Sequence, residues 1–217
     1  GIPVCWPWFG KVASPSHGFA RSSVWELESF NDQKSHVTVT LTLHDTPKSR
    51  AIWPYRFHNR LHFEFDKTLK VQLTSTNTDQ RPWHMSGALH TYLAVGDIMQ
   101  AKLSGLGNEY LDGLADQQRL PTNGVLQFDD AVDRVYSRAE DTMYLEDPAL
   151  FRRLRMHNHG HDSAVVWNPW QSGAAGMADM TPDGYTTMLC VESAVAGQSI
   201  VLEPGQSHHL STEIGVE

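Results

Sequence analysis

The stretch "SHVTVTLTLH" (residues 35–44) decides the fold class. Val37, Val39, Leu41 and Leu43 fall on one side of an extended chain, and Thr38, Thr40 and Thr42 on the other. A period of two, carried mostly by β-branched residues, marks a strand with one face in a core. Downstream, "RLHFEF" (60–65) and "LKVQLTST" (69–76) flank Asp66-Lys67-Thr68, which reads as a hairpin connection. Further strand candidates are 88–95, 122–128, 132–137, 151–158, 163–168, 185–192, 198–202 and 207–213. Only "NEYLDGLADQQ" (108–118) could form a turn or two of helix, and Gly113 weakens it. Gly and Pro punctuate the rest, as in "TPDG" and "EPGQ". Short strands about 8–12 residues apart, with no fixed repeat and no linker, predict an all-β sandwich or barrel forming one domain over residues 1–217.

Composition narrows the function. Of 217 residues, 40% are hydrophobic, enough for one large core. No run approaches the roughly 18 apolar residues of a membrane span. The net charge of −8 and the lack of a basic block argue against nucleic acid as a partner. An anionic substrate would have to be held by local arginines against that field. Cys5 and Cys190 lie far apart without metal-ligand spacing, and read as packed thiols of a reducing compartment. The chain opens on Gly1-Ile2-Pro3 with no signal-peptide pattern, so it reads as cytoplasmic and as entered partway through a domain.

Several side chains stand out against that background. In "GALHTYL" (87–93), His90 shares a strand face with Ala88 and Tyr92, and a buried imidazole there needs a partner. In "YTTMLCVES" (185–193), Glu192 falls on a face with Cys190 and Met188, where a carboxylate is costly unless paired. "SHGFAR" (16–21) supplies His17 and Arg21 beside a glycine, and "AVDRVY" (131–136) puts Asp133 and Arg134 on opposite faces of a strand. Taken singly, these read as readily as a satisfied core histidine, a strand-end acid, a turn and a surface charge pair. Four tryptophans cluster in "CWPWFG" (5–10) and "VVWNPW" (165–170); their flat faces suit sugar rings, although core packing is the commoner use. "MHNHGHD" (156–162) alternates His157, His159 and His161, but Asp162 falls on the opposite face and Gly160 breaks the run. We therefore read it as an exposed strand end or loop and not as a metal site.

Order adds what the single signals lack. Read in sequence, "GIPVCWPWFG", "SHGFAR", "GALHTYLAVGDI", "FDDAVDRVY", "VVWNPW" and "MLCVES" resemble the motif series of the glucose-6-phosphate 1-epimerases, hexose-6-phosphate mutarotases of the aldose 1-epimerase superfamily. The resemblance runs over about residues 1–205. It implies a large antiparallel β-sandwich of the galactose mutarotase-like supersandwich type, here without the family's first strands and without the Arg that precedes "IP" in its members. Ser16 stands where many relatives have Gln. It also implies that His90 and Glu192 are the catalytic pair, that Arg21 and Asp133 bind substrate, and that His17 lines the pocket. The implied reaction interconverts α and β anomers of a hexose 6-phosphate. Glu192 takes the O1 proton, His90 protonates the ring oxygen, and no cofactor or metal takes part. The expected protein is a monomer whose partner is a small sugar phosphate. A carboxylate and an imidazolium in one pocket would each favour the other's charged form. A sugar-binding module without catalysis, or a two-carboxylate glycoside-cleaving enzyme built on Asp133 and Glu192, are the alternatives.

Overall fold

The computed structural model describes residues 1–137 and 139–217. "HVTVTLTLH" is the strand His36–His44, and its neighbour Phe57–Phe65 turns at Asp66 into Thr68–Asn77, the expected hairpin. These strands belong to a nine-stranded antiparallel sheet. It continues through Ser207–Val216, Arg152–His159 and Thr142–Asp147 on one side and ends at Glu26–Gln33 on the other. A second, eight-stranded sheet is built around the 15-residue strand Met188–Leu202, flanked by Trp83–Leu89 and Ser163–Asn168, with Val132–Ser137 beyond. The two sheets face each other as a sandwich, because each has one apolar side that only the other can cover.

Two buried clusters fill the interface. In one, Leu43, Phe57, Leu61, Val71 and Leu73 of the first sheet meet Trp6, Trp83, Met85 and Leu89 of the second. In the other, Leu103, Met143, Leu145 and Leu154 meet Val166, Leu189, Val191 and Tyr136. Trp6 is fully buried against Trp53, Phe57 and Trp83 at ring separations of 5.0, 4.5 and 6.1 Å, so the tryptophans of "CWPWFG" are core.

Three local readings differ from expectation. The helix considered at 108–118 is a hairpin: Glu109–Asp112 pairs antiparallel with Gln118–Pro121, and the Asp112 carboxylate accepts from Leu114 N at 2.9 Å in the turn between them. The candidates 185–192 and 198–202 are one strand, with a register shift between Val195 and Ile200. Asp162 holds that bulge, its carboxylate accepting from the backbone N–H groups of Ala196, Gly197 and Gln198 at 2.9, 3.1 and 2.7 Å. The strand candidate 88–95 is interrupted at its centre: Trp83–Leu89 stops, Tyr92–Ala94 resumes, and His90 lies in the gap. Among the described residues, no helix is long and apolar enough to cross a membrane.

Candidate functional site

The interruption at His90 keeps register. Leu89 pairs with Ser193 and Tyr92 with Cys190, so the same alignment sets His90 across from Glu192. Within the gap, Thr91 N–H turns back to Leu89 O at 2.9 Å and His90 N–H donates to Pro3 O at 2.9 Å. The backbone N–H groups of the gap are therefore satisfied although the ladder is broken. Since Leu189 and Val191 point into the sandwich core, Cys190, Glu192 and Ala194 point to the sheet's other side. The site lies on that outer face, over the small cluster of Cys5, Ala88, Val165 and Ala194.

There, His90 Nε2 lies 3.3 Å from Glu192 Oε1. Both residues are buried, at 8% and 1% exposure, and Glu192 Oε2 has no hydrogen-bond partner among the described residues. An orphaned buried carboxylate oxygen costs on the order of 1–3 kcal/mol, a penalty that a ligand hydroxyl would cancel. Tyr92 stacks on the His90 imidazole at 4.9 Å and 13°, and Trp167 stands edge-on to both at 6.4 and 6.3 Å. His17 stands edge-on to His90, with ring centroids 5.9 Å apart. Its backbone is left-handed, at φ 62°, and its Nδ1 accepts from Gly10 N–H at 3.3 Å. Arg21 is exposed on the same loop, its Nη2 donating to Ser16 O at 2.9 Å.

Asp133 pairs across Ser163–Asn168 with Trp167, which places it on the Glu192 face, whereas Arg134 turns away to lie 4.4 Å over the Tyr110 ring. The expected divergence of these neighbours holds. Gly113 closes over Asp133: its N–H donates to Asp133 O at 2.7 Å, and a Cβ there would lie 2.7 Å from the Asp133 carboxylate. The hairpin that replaced the expected helix is thus what packs on Asp133.

Electrostatics departs from the charged pair expected. Burial first, then His17 and Arg21, push the His90 pKa down to about 4. Burial, with the Asp133 charge beside it, raises Glu192 well above the ordinary carboxylate range, and Arg21 offsets only part of this. Burial, with a like-charged neighbour adding to it in each case, shifts both toward the neutral form. The two shifts cross over, so between them a single proton on the pair favours the carboxyl over the imidazole. The thiols behave as packed groups, burial pushing Cys5 up to about 12.

The structure thus brings His90, Glu192, His17, Arg21 and Asp133 to one face. Tyr92 and Trp167 carried a sequence signal, one on the His90 face and one in "VVWNPW"; the role of Gly113 carried none. The His-rich segment lies elsewhere: His157 and His159 are exposed on the nine-stranded sheet, and Asp162 is taken up by the bulge. The surface clefts of about 620 and 570 Å³ include neither His90 nor Glu192.

A two-sheet antiparallel sandwich of this kind is shared with solved mutarotase-like structures, and sequence comparison places the chain in a family. The sequence profile of the aldose 1-epimerase family matches residues 1–215, and this chain belongs to that family. It is 36% identical over 220 residues to an Escherichia coli K12 protein named "Putative glucose-6-phosphate 1-epimerase", covering all of this chain and 74% of that one. The crystal structure of a "putative mutarotase" from Salmonella typhimurium superposes with a TM-score of 0.94 at 34% identity, over all of this chain and 73% of the other. A galactose mutarotase related enzyme from Lactobacillus acidophilus, only 14% identical and 82% covered, shares the fold at a TM-score of 0.77 over the whole of this chain.

Proposed function

We propose that the protein interconverts the α and β anomers of a hexose 6-phosphate, most simply glucose 6-phosphate, with Glu192 and His90 as the proton-transfer pair. The observation that carries the reading is the buried contact of 3.3 Å between a carboxyl and an imidazole with one carboxylate oxygen left unpartnered. Ring opening needs one proton removed from O1 and one delivered to O5. A pair that shares one proton supplies this without net change. The resting proton passes from Glu192 to His90; Glu192 then takes the O1 proton as His90 protonates O5 and the C1–O5 bond breaks. The pair ends with the carboxyl protonated and the imidazole neutral, the state that burial favours. Rotation about C1–C2 and reversal of the transfers give the other anomer. The ionised pair exists only with the closed ring, so its desolvation cost is relieved as the ring opens. Arg21 supplies a guanidinium for phosphate oxygens and Asp133 an acceptor for a sugar hydroxyl.

The resting proton position favours a second assignment of the same pair: Glu192 as acid to O5 and His90 as base to O1. A co-crystal with 1,5-anhydroglucitol 6-phosphate, which keeps O5 and lacks O1, separates them. O5 within hydrogen-bond reach of His90 supports the first assignment, and O5 against Glu192 the second.

Freshly dissolved α-glucose 6-phosphate, followed by NMR or polarimetry, should equilibrate faster with the protein than without it. An unchanged rate despite binding would make the protein a sugar-binding module, and release of reducing ends from an oligosaccharide would make it a hydrolase. Two further results are expected in the same assay. The part of the kcat/KM profile that remains after correction for ionisation of the substrate phosphate should be a plateau between two limbs. Its acid limb follows the His90 pKa of about 4, as a second proton joins the pair, and its base limb lies well above the ordinary carboxylate range, where the pair loses its only proton. An acid limb near the ~6.5 of a free imidazole would remove the shared-proton account. Gly113→Ala should lower kcat/KM by about tenfold with near-native stability, because the added methyl meets the movable carboxylate of Asp133 and shifts it. Unchanged kinetics would take Asp133 out of the substrate's reach.

A further inference from the structure

Three rings flank the His90 imidazole, and they do not act on it alike. Tyr92 lies almost parallel to it, at 4.9 Å between centroids and 13° between planes, so a π face of the phenol covers one face of the imidazole. Trp167 and His17 meet it edge-on, at 70° and 71°. The backbone builds this stack. Leu93 is buried in the sandwich core, Tyr92 N–H donates to Gly1 O at 3.0 Å, and the strand Tyr92–Ala94 pairs with Met188–Leu202. That pairing sets Tyr92 opposite Cys190, and so beside His90 and Glu192 on the outer face. An aromatic face carries the negative part of the ring quadrupole, so a cation laid over it within about 6 Å is stabilised and a neutral ring much less so. The phenol itself stays neutral, since burial first, then Cys190 and Glu192, push the Tyr92 pKa up to about 12.

We infer that Tyr92 is a positioning residue for the reaction proposed above: its ring face fixes the plane of the His90 imidazole and selectively stabilises the imidazolium through which each turnover passes. The inference rests on that reading of Glu192 and His90, but not on which of them serves O1, because the imidazolium forms in either assignment. Imidazole lone pairs and N–H bonds lie in the ring plane, so holding the plane holds Nε2 on the line to Glu192 Oε1, 3.3 Å away. While the proton sits on the carboxyl, Tyr92 adds little; once His90 carries it, the stack gains a cation–π attraction. An interaction stronger on the reaction path than in the ground state raises kcat and not merely binding. The charged and titratable groups facing the imidazole are Glu192 from Met188–Leu202, and His17 and Arg21 from the loop 16–21. His17 and Arg21 oppose the cation, and Glu192 favours it only when ionised. Tyr92 favours it whatever the protonation of these neighbours.

The test compares wild type, Tyr92→Leu and Tyr92→Phe in the α-glucose 6-phosphate assay at neutral pH and, without substrate, in an NMR titration of the His90 imidazole. Leucine keeps an apolar side chain on the strand but has no π face; phenylalanine keeps the face and loses the hydroxyl. Tyr92→Leu is expected to lower kcat roughly fivefold to tenfold with KM within about twofold of the wild type. It should also move the His90 titration, already near pH 4, lower by about half to one pH unit. Tyr92→Phe should restore most of both. Three results overturn the inference. One is a His90 titration that Tyr92→Leu leaves in place. Another is Tyr92→Phe as impaired as Tyr92→Leu, which would transfer the effect to the hydroxyl. The third is a rise in KM at unchanged kcat, the sign of a wall that only binds sugar. The titration uses ligand-free protein, so it judges the stack even if the wild type turns over no glucose 6-phosphate, a result that would sink the proposed reaction separately.

Discussion

Glu192→Gln is expected to slow anomer interconversion by about two to four orders of magnitude, and His90→Ala by a similar factor, the range for loss of one positioned proton-transfer group. The two losses should not add. Once the shared proton has lost either site, the other residue has nothing to exchange, so the double variant should be little slower than either single one. In Glu192→Gln the new amide still fills the carboxyl's volume beside His90 Nε2, so the loss reports chemistry and not a cavity. Stability gives an independent check with a definite sign. The Glu192 pKa is raised in the folded state by burial and by Asp133. Its contribution to stability is therefore fully present below the unfolded carboxyl's value and is lost as pH rises through the folded value. Glutamine titrates in neither state. The Glu192→Gln variant should match the wild type most closely in acid and gain on it as pH rises toward neutrality and beyond, measured by urea unfolding across that range. A gap that narrowed with rising pH would show that Glu192 is ionised and satisfied in the folded protein.

The same burial explains how much of this was legible in advance. Alternation over 35–44 and 60–76 separates an apolar side chain set from a polar one at a period of two, so both strands and the hairpin between them followed from the residue pattern alone. Glu109–Asp112 and Gln118–Pro121 did not, because a four-residue strand gives too few alternations to outweigh a helix-like apolar spacing, and the turn rests on side-chain caps such as Asp112. His90 was visible as an odd residue on an apolar face. Its position in a gap of the ladder was not, since it depends on Pro3, which is remote in sequence. Charge states were the least legible part. Opposite partners suggest mutual ionisation, but burial pushes both groups toward the neutral form, and Asp133 near Glu192 and His17 with Arg21 near His90, all from other segments, add to it.

Gly18→Ala is expected to cost about 3 kcal/mol or more of stability and to depress kcat/KM together with it, although Gly18 touches neither His90 nor Glu192 through a side chain. Its φ is +71°, and a Cβ there would lie 2.0 Å from Trp6 O and 2.8 Å from Pro7 N. The nearer of these belongs to a residue locked among Trp53, Phe57 and Trp83, so the core cannot yield and the loop must. The loop is tied at this point by three backbone hydrogen bonds: Trp6 N–H to His17 O at 3.2 Å, and Phe19 N–H and Ala20 N–H to Trp6 O at 3.0 and 3.2 Å. Lifting Gly18 loosens all three and carries away His17, which flanks His90, and Arg21, whose charge acts on both members of the pair. Denaturant unfolding and the mutarotation assay should therefore change together. Loss of activity at native stability would mean that Gly18 leaves room for the substrate and not for Trp6. Loss of stability with native kcat/KM in the folded fraction would show that His17 and Arg21 do not need this loop geometry to act.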